Sequence, residues 1–359
     1  QAAGSTNNGF FQIIYWLGRL AMKENQKGSD RQISFSPALR ERIGHHIHGE
    51  QWASDVKAFL LTHHLWERPL HIISANLHSI LNSLFAFPAL KAKLGACSIE
   101  EMARELNLPD HEELNQQVRE FAQNYGMSYL PDRAGTNIPV QLFDTALLPL
   151  DLLSPELKID REYVETEKPI LLVMDYAFGE QAFEIFDELL KPYRTQQERK
   201  NLNVRSISIM GKAGTLIGEK GDLMIPTSHL FEGTADNYPF ENKIQPEDFT
   251  DTGLPVHKGA MITVLGTSLQ NGDILRYFKE SSWSAVGLEM EGAHIQKAIQ
   301  AAAKIRRSID ENVVLRYAYY ASDNPLVSGS TLASGSLGQL GVKPAYAITL
   351  KFLNQILQG

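Results

Sequence analysis

Cysteine is nearly absent from the sequence, and long apolar runs are absent altogether. Cys97 is the single cysteine among 359 residues, which excludes an intramolecular disulfide and fits a reducing compartment. No apolar run reaches the roughly 18 residues that a membrane span requires. The first residues, Gln1–Asn8, have neither the charged nor the apolar region of a secretory signal. We therefore expect a soluble, cytoplasmic protein without a membrane partner.

An excess of basic charge is also missing. The formal net charge is −8 and the isoelectric point is near 5.8, whereas proteins that bind a phosphate backbone usually carry clustered Lys and Arg. Ser98–Glu101 begins a capped helix, and the helix after it could pass for the recognition helix of a helix-turn-helix. That second segment has four acidic residues between 110 and 120 against Arg119, so it would repel phosphates. We expect two packing helices and no nucleic-acid partner.

Histidines are clustered in the first third of the chain. His45, His46 and His48, with His63 and His64 further on, invite a metal site because imidazole is a common zinc ligand. Adjacent histidines on a helix point about 100° apart, and no Cys or closely spaced carboxylate completes a ligand set. We expect solvated or interface histidines, no metal and no cofactor.

The length and the 43% hydrophobic content allow one large domain or two ordinary ones. Phe10–Met22 and Leu70–Phe85 carry apolar residues at three- and four-residue spacing, which is typical of helices, and no strand alternation interrupts this half. A proline-containing, charged stretch over 136–168 follows. The pattern predicts an all-helical N-terminal domain of unknown role over 1–165.

From residue 166 onward the pattern changes to alternating strands and helices. Short apolar runs predict buried strands, with helices between them, so we expect an α/β domain over 166–359 with a sheet covered on both faces. The predicted strands are 170–174, 204–210, 222–225, 261–265, 285–288 and 313–323, and the predicted helices are 179–190, 291–305 and 345–357.

Two of these strands end on carboxylates. The strand Ala285–Leu288 runs into Glu289, Met290 and Glu291, which then begin a helix. Alternation along a strand lets at most one of the two acids face a pocket, while the other caps or pairs locally. Both would gain from the helix dipole, and ordinary acids at a helix N-terminus are the alternative reading.

A second strand ends at Ser322 and Asp323, and a third runs into a glycine-rich stretch. Asp323 could donate a proton to a leaving group if its surroundings keep it protonated; simple turn chemistry is the alternative. Met210–Gly218 predicts a turn whose backbone N–H groups could face an anion, or only a tight connection. Lys212 within it could serve as a cation for a phosphate or could face solvent.

These motifs in this order resemble the nucleoside phosphorylase and nucleosidase superfamily over about residues 168 to 359. The segments that carry the resemblance are Gly211–Gly214, Gly221–Ile225, Gly266–Gln270, Gly287–Gly292 and Ala321–Asp323. The resemblance implies a mixed central sheet flanked by helices and cleavage of an N-ribosyl bond through an oxocarbenium-like state. Ser322–Leu326 looks most like AMP nucleosidase, and the rest looks equally like methylthioadenosine nucleosidase.

The resemblance also implies roles for single residues. Glu291 would hydrogen-bond the ribose hydroxyls, Met290 would pack on the sugar, and Asp323 would protonate or hydrogen-bond N7 of a purine. Nucleosidases of this kind activate water with a Glu just past the first strand, for which Glu180 is the nearest candidate. The remaining residues expected to bind substrate are Glu289, Gly211, Lys212, Ala213, Gly214, Ser322 and, at the position that stacks on the base, Leu269.

One departure from the family pattern bears on the reaction type. Ile209 stands where phosphorylases have a phosphate-binding Arg, which favours hydrolysis over phosphorolysis. The sequence therefore predicts a purine nucleosidase that forms a homo-oligomer, with AMP as a candidate substrate. A non-catalytic nucleotide-binding protein is the alternative, and a purine nucleoside phosphorylase is disfavoured. If AMP is the substrate, Lys212, His229 or Lys343 could meet its 5′-phosphate.

Overall fold

The structure is a computed structural model of the chain. It describes residues 9–27, 37–95, 97–194, 199–234, 236–266, 271–328 and 337–359. Among these residues, no helix has both the length and the apolar character needed to cross a membrane.

A mixed sheet of ten strands forms the centre of the fold, in the order β11-β10-β8-β12-β7-β1-β4-β3-β2, with β9 paired to β8. Two short strands, β5 and β6, pair with each other apart from it. The strands are β1 Leu70–Ser74, β2 Met127–Leu130, β3 Val140–Asp144, β4 Ile170–Met174, β5 Tyr193–Arg194, β6 Arg199–Lys200, β7 Val204–Thr215, β8 Leu223–Phe231, β9 Asn237–Pro239, β10 Val256–Thr263, β11 Ala285–Glu289 and β12 Val314–Asp323.

Helices cover both faces of this sheet, as the sequence predicts for an α/β protein. They are α1 Gly9–Lys27, α2 Pro37–Thr62, α3 Leu77–Leu94, α4 Ile99–Leu106, α5 Glu112–Asn124, α6 Arg161–Glu167, α7 Gln181–Leu190, α8 Gly272–Glu280, α9 Gly292–Gln300, α10 Pro325–Ser328 and α11 Val342–Leu357. A π-type turn, Ala301–Arg306, continues α9. The predicted mixed sheet flanked by helices is confirmed.

The first half of the chain is not all-helical, which corrects the prediction for 1–165. It contributes β1, β2 and β3 to the central sheet, and β1 pairs in parallel with both β4 and β7. Every residue of Leu70–Ser74 is buried, so the strand has no alternation of apolar and polar residues. A short apolar run of this kind cannot be told from part of a buried helix by periodicity. The sheet therefore crosses the boundary predicted between residues 165 and 166.

Two large apolar clusters pack on the two faces of the sheet. One contains Phe186 of α7 and Ile295 of α9 together with Ile207 and Ile209 of β7. The other contains residues of α3, α4, α5 and α11 together with Met210 of β7. Successive residues of a strand point to opposite faces, so β7 contributes to both clusters in turn.

The strand β7 is long enough to close part of the sheet on itself. Its residues 206–214 pair with β12, and its last residues turn to pair with β11, where Gly214 is opposite Leu288. The strands β7, β12, β8, β10 and β11 therefore form a closed ring. This closure brings the ends of β11 and β12 to the two sides of one segment of β7.

Candidate active site

A cavity of about 740 Å³ opens where β1, β7 and β11 end. The sheet contributes Gly211–Gly214 of β7 and Leu288–Glu291 at the end of β11. The opposite wall comes from α3, the α4–α5 pair and the start of α11. Ligands of open α/β sheets bind outside the carboxyl ends of the strands, and this cavity occupies that position.

Glu289 holds the strand-to-helix corner together. Its side chain accepts hydrogen bonds from the Thr263 hydroxyl and from the backbone N–H groups of Glu291, at 2.6 Å, and Gly292. Burial and the neighbouring Glu291 carboxylate raise the pKa of Glu289 to about 8, and the hydrogen bonds oppose this rise. Its oxygens are occupied by the protein, although the residue also lines the cavity. These contacts are the local pairing considered in the sequence analysis, and substrate binding by Glu289 stays a prediction.

Glu291 has a different environment. It is the N-cap residue of α9 but makes no side-chain capping bond, and its Oε1 accepts a hydrogen bond of 3.0 Å from the backbone N–H of Gly179. Burial raises the pKa of Glu291 to about 7, against the hydrogen bond from Gly179. The carboxyl lines the cavity beside Met290 and has capacity to accept further hydrogen bonds from a ligand.

The stretch Gly211–Gly214 lines the cavity, but it is not a turn. It continues β7, which corrects the prediction that the strand ends at Met210. Gly211 is required because the ring of Tyr319 lies against it: a Cβ there would be 2.6 Å from two ring carbons. The glycine therefore allows the Tyr319 ring to pack against the backbone of β7. The cavity wall is formed by that backbone and by Ala213.

Asp323 lies next to this wall, at the end of β12. It is fully buried and is paired with Gly214, the residue that is opposite Leu288 on the other side. Oδ1 accepts a hydrogen bond of 2.6 Å from Ser322 Oγ, and Oδ2 has no hydrogen-bond partner among the described residues. A buried carboxyl oxygen without a partner is costly, so Oδ2 lacks, among the described residues, a contact that would offset this cost.

The three candidate cations for a phosphate are placed very differently. Lys212 lines the cavity. His229 is fully buried with Nε2 3.1 Å from the Tyr319 hydroxyl, and burial lowers its pKa to about 3. Its imidazole is therefore neutral at pH 7. Lys343 belongs to α11 but is not among the residues that line the cavity.

Four predicted site residues are not among the described residues that line the cavity: Glu180, Leu269, Ser322 and Asp323. Ser322 and Asp323 are buried at the end of β12, next to the cavity wall. Glu180 is exposed, precedes α7 and does not contribute to the lining, although its neighbour Gly179 binds Glu291. Leu269 lies outside the described residues, as do residues 267–270 around it. The prediction for Glu180 rests on β4 as the first strand of the sheet, but β1 precedes β4 in the chain and lies beside it.

The structure adds residues that the sequence reasoning missed, and they follow β1. Asn76 caps α3 by accepting from Ser79 N–H at 3.0 Å, and His78, two residues further along, also lines the cavity. Asn82 donates to the Tyr346 hydroxyl at 2.9 Å on the same wall. A strand ending at Ser74 followed by an Asn cap is the signal in the sequence, but the helical spacing predicted for Leu70–Phe85 covers both β1 and the first half of α3.

The clustered histidines form no metal centre in the part of the chain that the structure describes, where no three His, Cys, Asp or Glu side chains are grouped to hold an ion. The Nδ1 atom of His48 contacts the carbonyl of Ala134, and the ring of His63 stacks on Phe59. These two side chains have structural partners.

The acid corner, the β7 wall and Asp323 all lie within a region that matches one protein family. Residues 103–358 match the model of a family described as "Family of unknown function (DUF6909)". The chain belongs to this family. No curated protein matches the chain. The DUF6909 match begins within α4, so it includes β2 and β3 together with the whole second half of the sheet.

Comparison with solved structures finds proteins that act on nucleosides. The 5′-methylthioadenosine/S-adenosyl homocysteine nucleosidase of Campylobacter jejuni has a TM-score of 0.45 and 12% identity, covering 80% of this chain and 99% of that one. Futalosine hydrolase of Helicobacter pylori has a TM-score of 0.45 and 10% identity over 80% and 98%. AMP nucleosidase of Bacteroides thetaiotaomicron has a TM-score of 0.37 and 13% identity over 77% and 86%. Similarity at this level does not by itself assign a function to the DUF6909 chain.

Proposed function

We propose that this protein is a nucleosidase that hydrolyses the N-glycosidic bond of a purine nucleoside or nucleotide. The observation that carries the proposal is the arrangement around Gly214, whose two strand neighbours are Leu288 and Asp323. Glu291, three residues beyond Leu288, lines the cavity, and Asp323, paired with the wall residue Gly214, has a buried Oδ2 without a hydrogen-bond partner among the described residues. Two carboxyl groups on either side of one cavity wall suit the two ends of a glycosidic bond.

The chemistry follows from these positions. As the bond between C1′ and the base nitrogen breaks, positive charge develops on the sugar and negative charge on the base. The ionised Glu291 carboxylate stabilises the sugar side and binds ribose hydroxyls, while Met290 packs against the ring. Asp323 donates a proton or a hydrogen bond to N7, which stabilises the leaving purine.

Water activation needs a proton acceptor, and His78 is placed for it. It lines the cavity just past β1, which is the position that the nucleosidase resemblance associates with the residue that activates water. Glu180 does not line the cavity. Burial lowers the pKa of His78, against the charge of Asp175, so the imidazole is neutral at pH 7 and can accept a proton from water. We propose His78 rather than Glu180 for this role.

A non-catalytic nucleotide-binding protein is the second candidate. It is favoured by one observation: among the described residues, the cavity lining contains no carboxylate besides Glu289 and Glu291, so no third acid is available to activate water. Contacts to the sugar and the purine, without a proton acceptor that activates water, would give binding without turnover.

One experiment separates these candidates. The protein is incubated with AMP, adenosine, inosine or methylthioadenosine, each with and without inorganic phosphate, and free base is measured by chromatography. Release of base that does not depend on phosphate supports hydrolysis, and formation of ribose 1-phosphate would instead show a phosphorylase. If no base appears while a nucleotide raises the melting temperature, the binding protein is supported.

A further inference from the structure

Lys212 is a cation without an ionic partner in the wall of the cavity. Its side chain is exposed, and no carboxylate among the described residues lies within ion-pair distance of Nζ. The other basic residue in the described lining is His78, which is neutral at pH 7. Lys212 is therefore the permanent positive charge that this wall presents to a ligand.

The position of Lys212 along β7 separates it from the sugar and base groups. Lys212 and Gly214 are two residues apart, so their Cα atoms lie about 7 Å from each other along the strand. Gly214 is paired with Asp323 on one side and with Leu288, three residues before Glu291, on the other. A ligand held by those two carboxyl groups therefore places Lys212 at the far end of its ribose.

The register of the sheet fixes the face on which Lys212 lies. Lys212 is paired with Tyr320, and it is two residues from Met210, which packs against α3 and α11. Residues i and i+2 of a strand share a face, so the ammonium group lies on the side covered by those helices. Tyr320, Asn82 and Tyr346 line the cavity on that same side and offer hydroxyl and amide groups to an oxyanion.

We propose that Lys212 binds a phosphate group in this cavity, and that the group is the 5′-phosphate of a nucleoside monophosphate. This rests on the proposed function for the position of the sugar. The buried, neutral His229 and the non-lining Lys343 leave Lys212 as the candidate with both charge and access. Inorganic phosphate used as a co-substrate would supply the same chemistry, and the two sources are separable by experiment.

The test compares Lys212→Met, which keeps the length and removes the charge, with Lys212→Arg, which keeps the charge, and with Lys343→Met as the matched control. We expect Lys212→Met to lower kcat/KM for AMP about 10- to 100-fold, the usual effect of a lost charged hydrogen bond, and to leave adenosine turnover within about twofold. Lys212→Arg should retain most AMP turnover, and Lys343→Met should match the wild type.

Each outcome decides a separate point. Equal loss of AMP and adenosine turnover in Lys212→Met, or the same AMP defect in Lys343→Met, overturns the proposal. A Lys212-dependent stimulation of adenosine cleavage by inorganic phosphate, with ribose 1-phosphate formed, keeps the phosphate site and assigns it to the free anion.

Thermal shifts with AMP, adenosine and inorganic phosphate give a readout without turnover. If no substrate is cleaved but AMP stabilises the wild type and not Lys212→Met, the nucleosidase proposal fails and the phosphate site stands. If base is released and neither AMP nor phosphate binding depends on Lys212, the phosphate site fails and the nucleosidase stands.

Discussion

The Glu289 carboxylate accepts a hydrogen bond of 2.6 Å from the backbone N–H of Glu291. The two acids therefore have different roles. The oxygens of Glu289 accept hydrogen bonds within the strand-to-helix corner, whereas the Glu291 side chain lines the cavity. The helix α9 begins with the N–H groups that Glu289 binds, so the first acid fixes the direction of the second.

Replacing Glu291 with Gln should lower kcat/KM about 100-fold, because an amide cannot offset the positive charge that develops on the ribose. In the wild type, activity should rise as the pH passes through about 7, where Glu291 ionises, and this rise should be absent in the variant. Initial rates from pH 5.5 to 8.5 measure both effects. Glu113→Gln, an exposed change on α5, is the control. Unchanged rates in Glu291→Gln would contradict the assigned role.

Replacing Asp323 with Asn should reduce kcat by more than about 100-fold while ligand affinity changes little, because the amide keeps the shape and the bond from Ser322 but has no acidic proton to give. Single-turnover release of base measures the chemical step, and calorimetry with AMP measures binding. A variant as active as the wild type would remove Asp323 from the mechanism.

Replacing His78 with Gln should lower kcat about 100-fold with little change in binding, because the amide cannot accept a proton from water. His63→Gln, at an exposed position directly after α2, is the matched control and should behave as the wild type. The loss should be specific to hydrolysis, so that added azide or another small external nucleophile partly restores cleavage. Equal turnover in the wild type and His78→Gln would assign water activation elsewhere.

The stability of the protein should depend on pH through Glu289. Its pKa is raised from 4.5 to about 8 in the folded state, so between these values the folded protein holds a proton that the unfolded chain has released. Binding of this proton contributes to the free energy of unfolding. The contribution is complete at low pH and is lost as the pH rises, by at most about 1.4 kcal/mol per pH unit. Glu289→Gln should flatten this dependence, since its amide can donate to Thr263 and accept from the backbone. Chemical denaturation at several pH values measures it, and parallel curves for the two proteins would show that Glu289 is ionised in the fold.

Replacing Gly292 with Ala should destabilise the protein by about 1 to 3 kcal/mol, because a Cβ at this position would overlap the buried ring of His229. The melting temperature should fall even though Ala is the better helix former. Gly18→Ala on α1, where a Cβ meets open space, should leave the melting temperature unchanged or raise it slightly. If the two variants melt alike, the packing of His229 against Gly292 is not as tight as the structure indicates.

The second half of the fold could be predicted because its local signals agree with one another. Ile170–Met174 and Ala285–Glu289 are buried strands followed by helices, and each lies where the apolar run predicts it. The capping box of Ser98 and Glu101 is formed as predicted, because both hydrogen bonds are made within four residues. Patterns of this kind are satisfied locally, so the sequence contains the whole of their physical cause.

Only some residues of the candidate active site could be predicted from the sequence, and the reason can be given residue by residue. Glu291 and Asp323 end apolar strands, and a carboxylate at that point is visible in the sequence as an exception to burial. His78 and Asn82 have no such signal, because they belong to a helix of a segment that gave no sign of sharing the sheet. Their position depends on β1 pairing between β4 and β7, partners 100 or more residues away along the chain.

The sequence by itself determined which residues end the strands on acids, which residues cap the helices, and that buried strands alternate with helices from residue 166 onward. Only the tertiary structure decided that the first half joins the same sheet and that Gly211–Gly214 is strand rather than turn. It alone also decided that Lys212 lines the cavity whereas His229 is fully buried. Local hydrogen bonds and apolar periodicity are encoded over a few residues, whereas strand order and burial depend on contacts between distant segments.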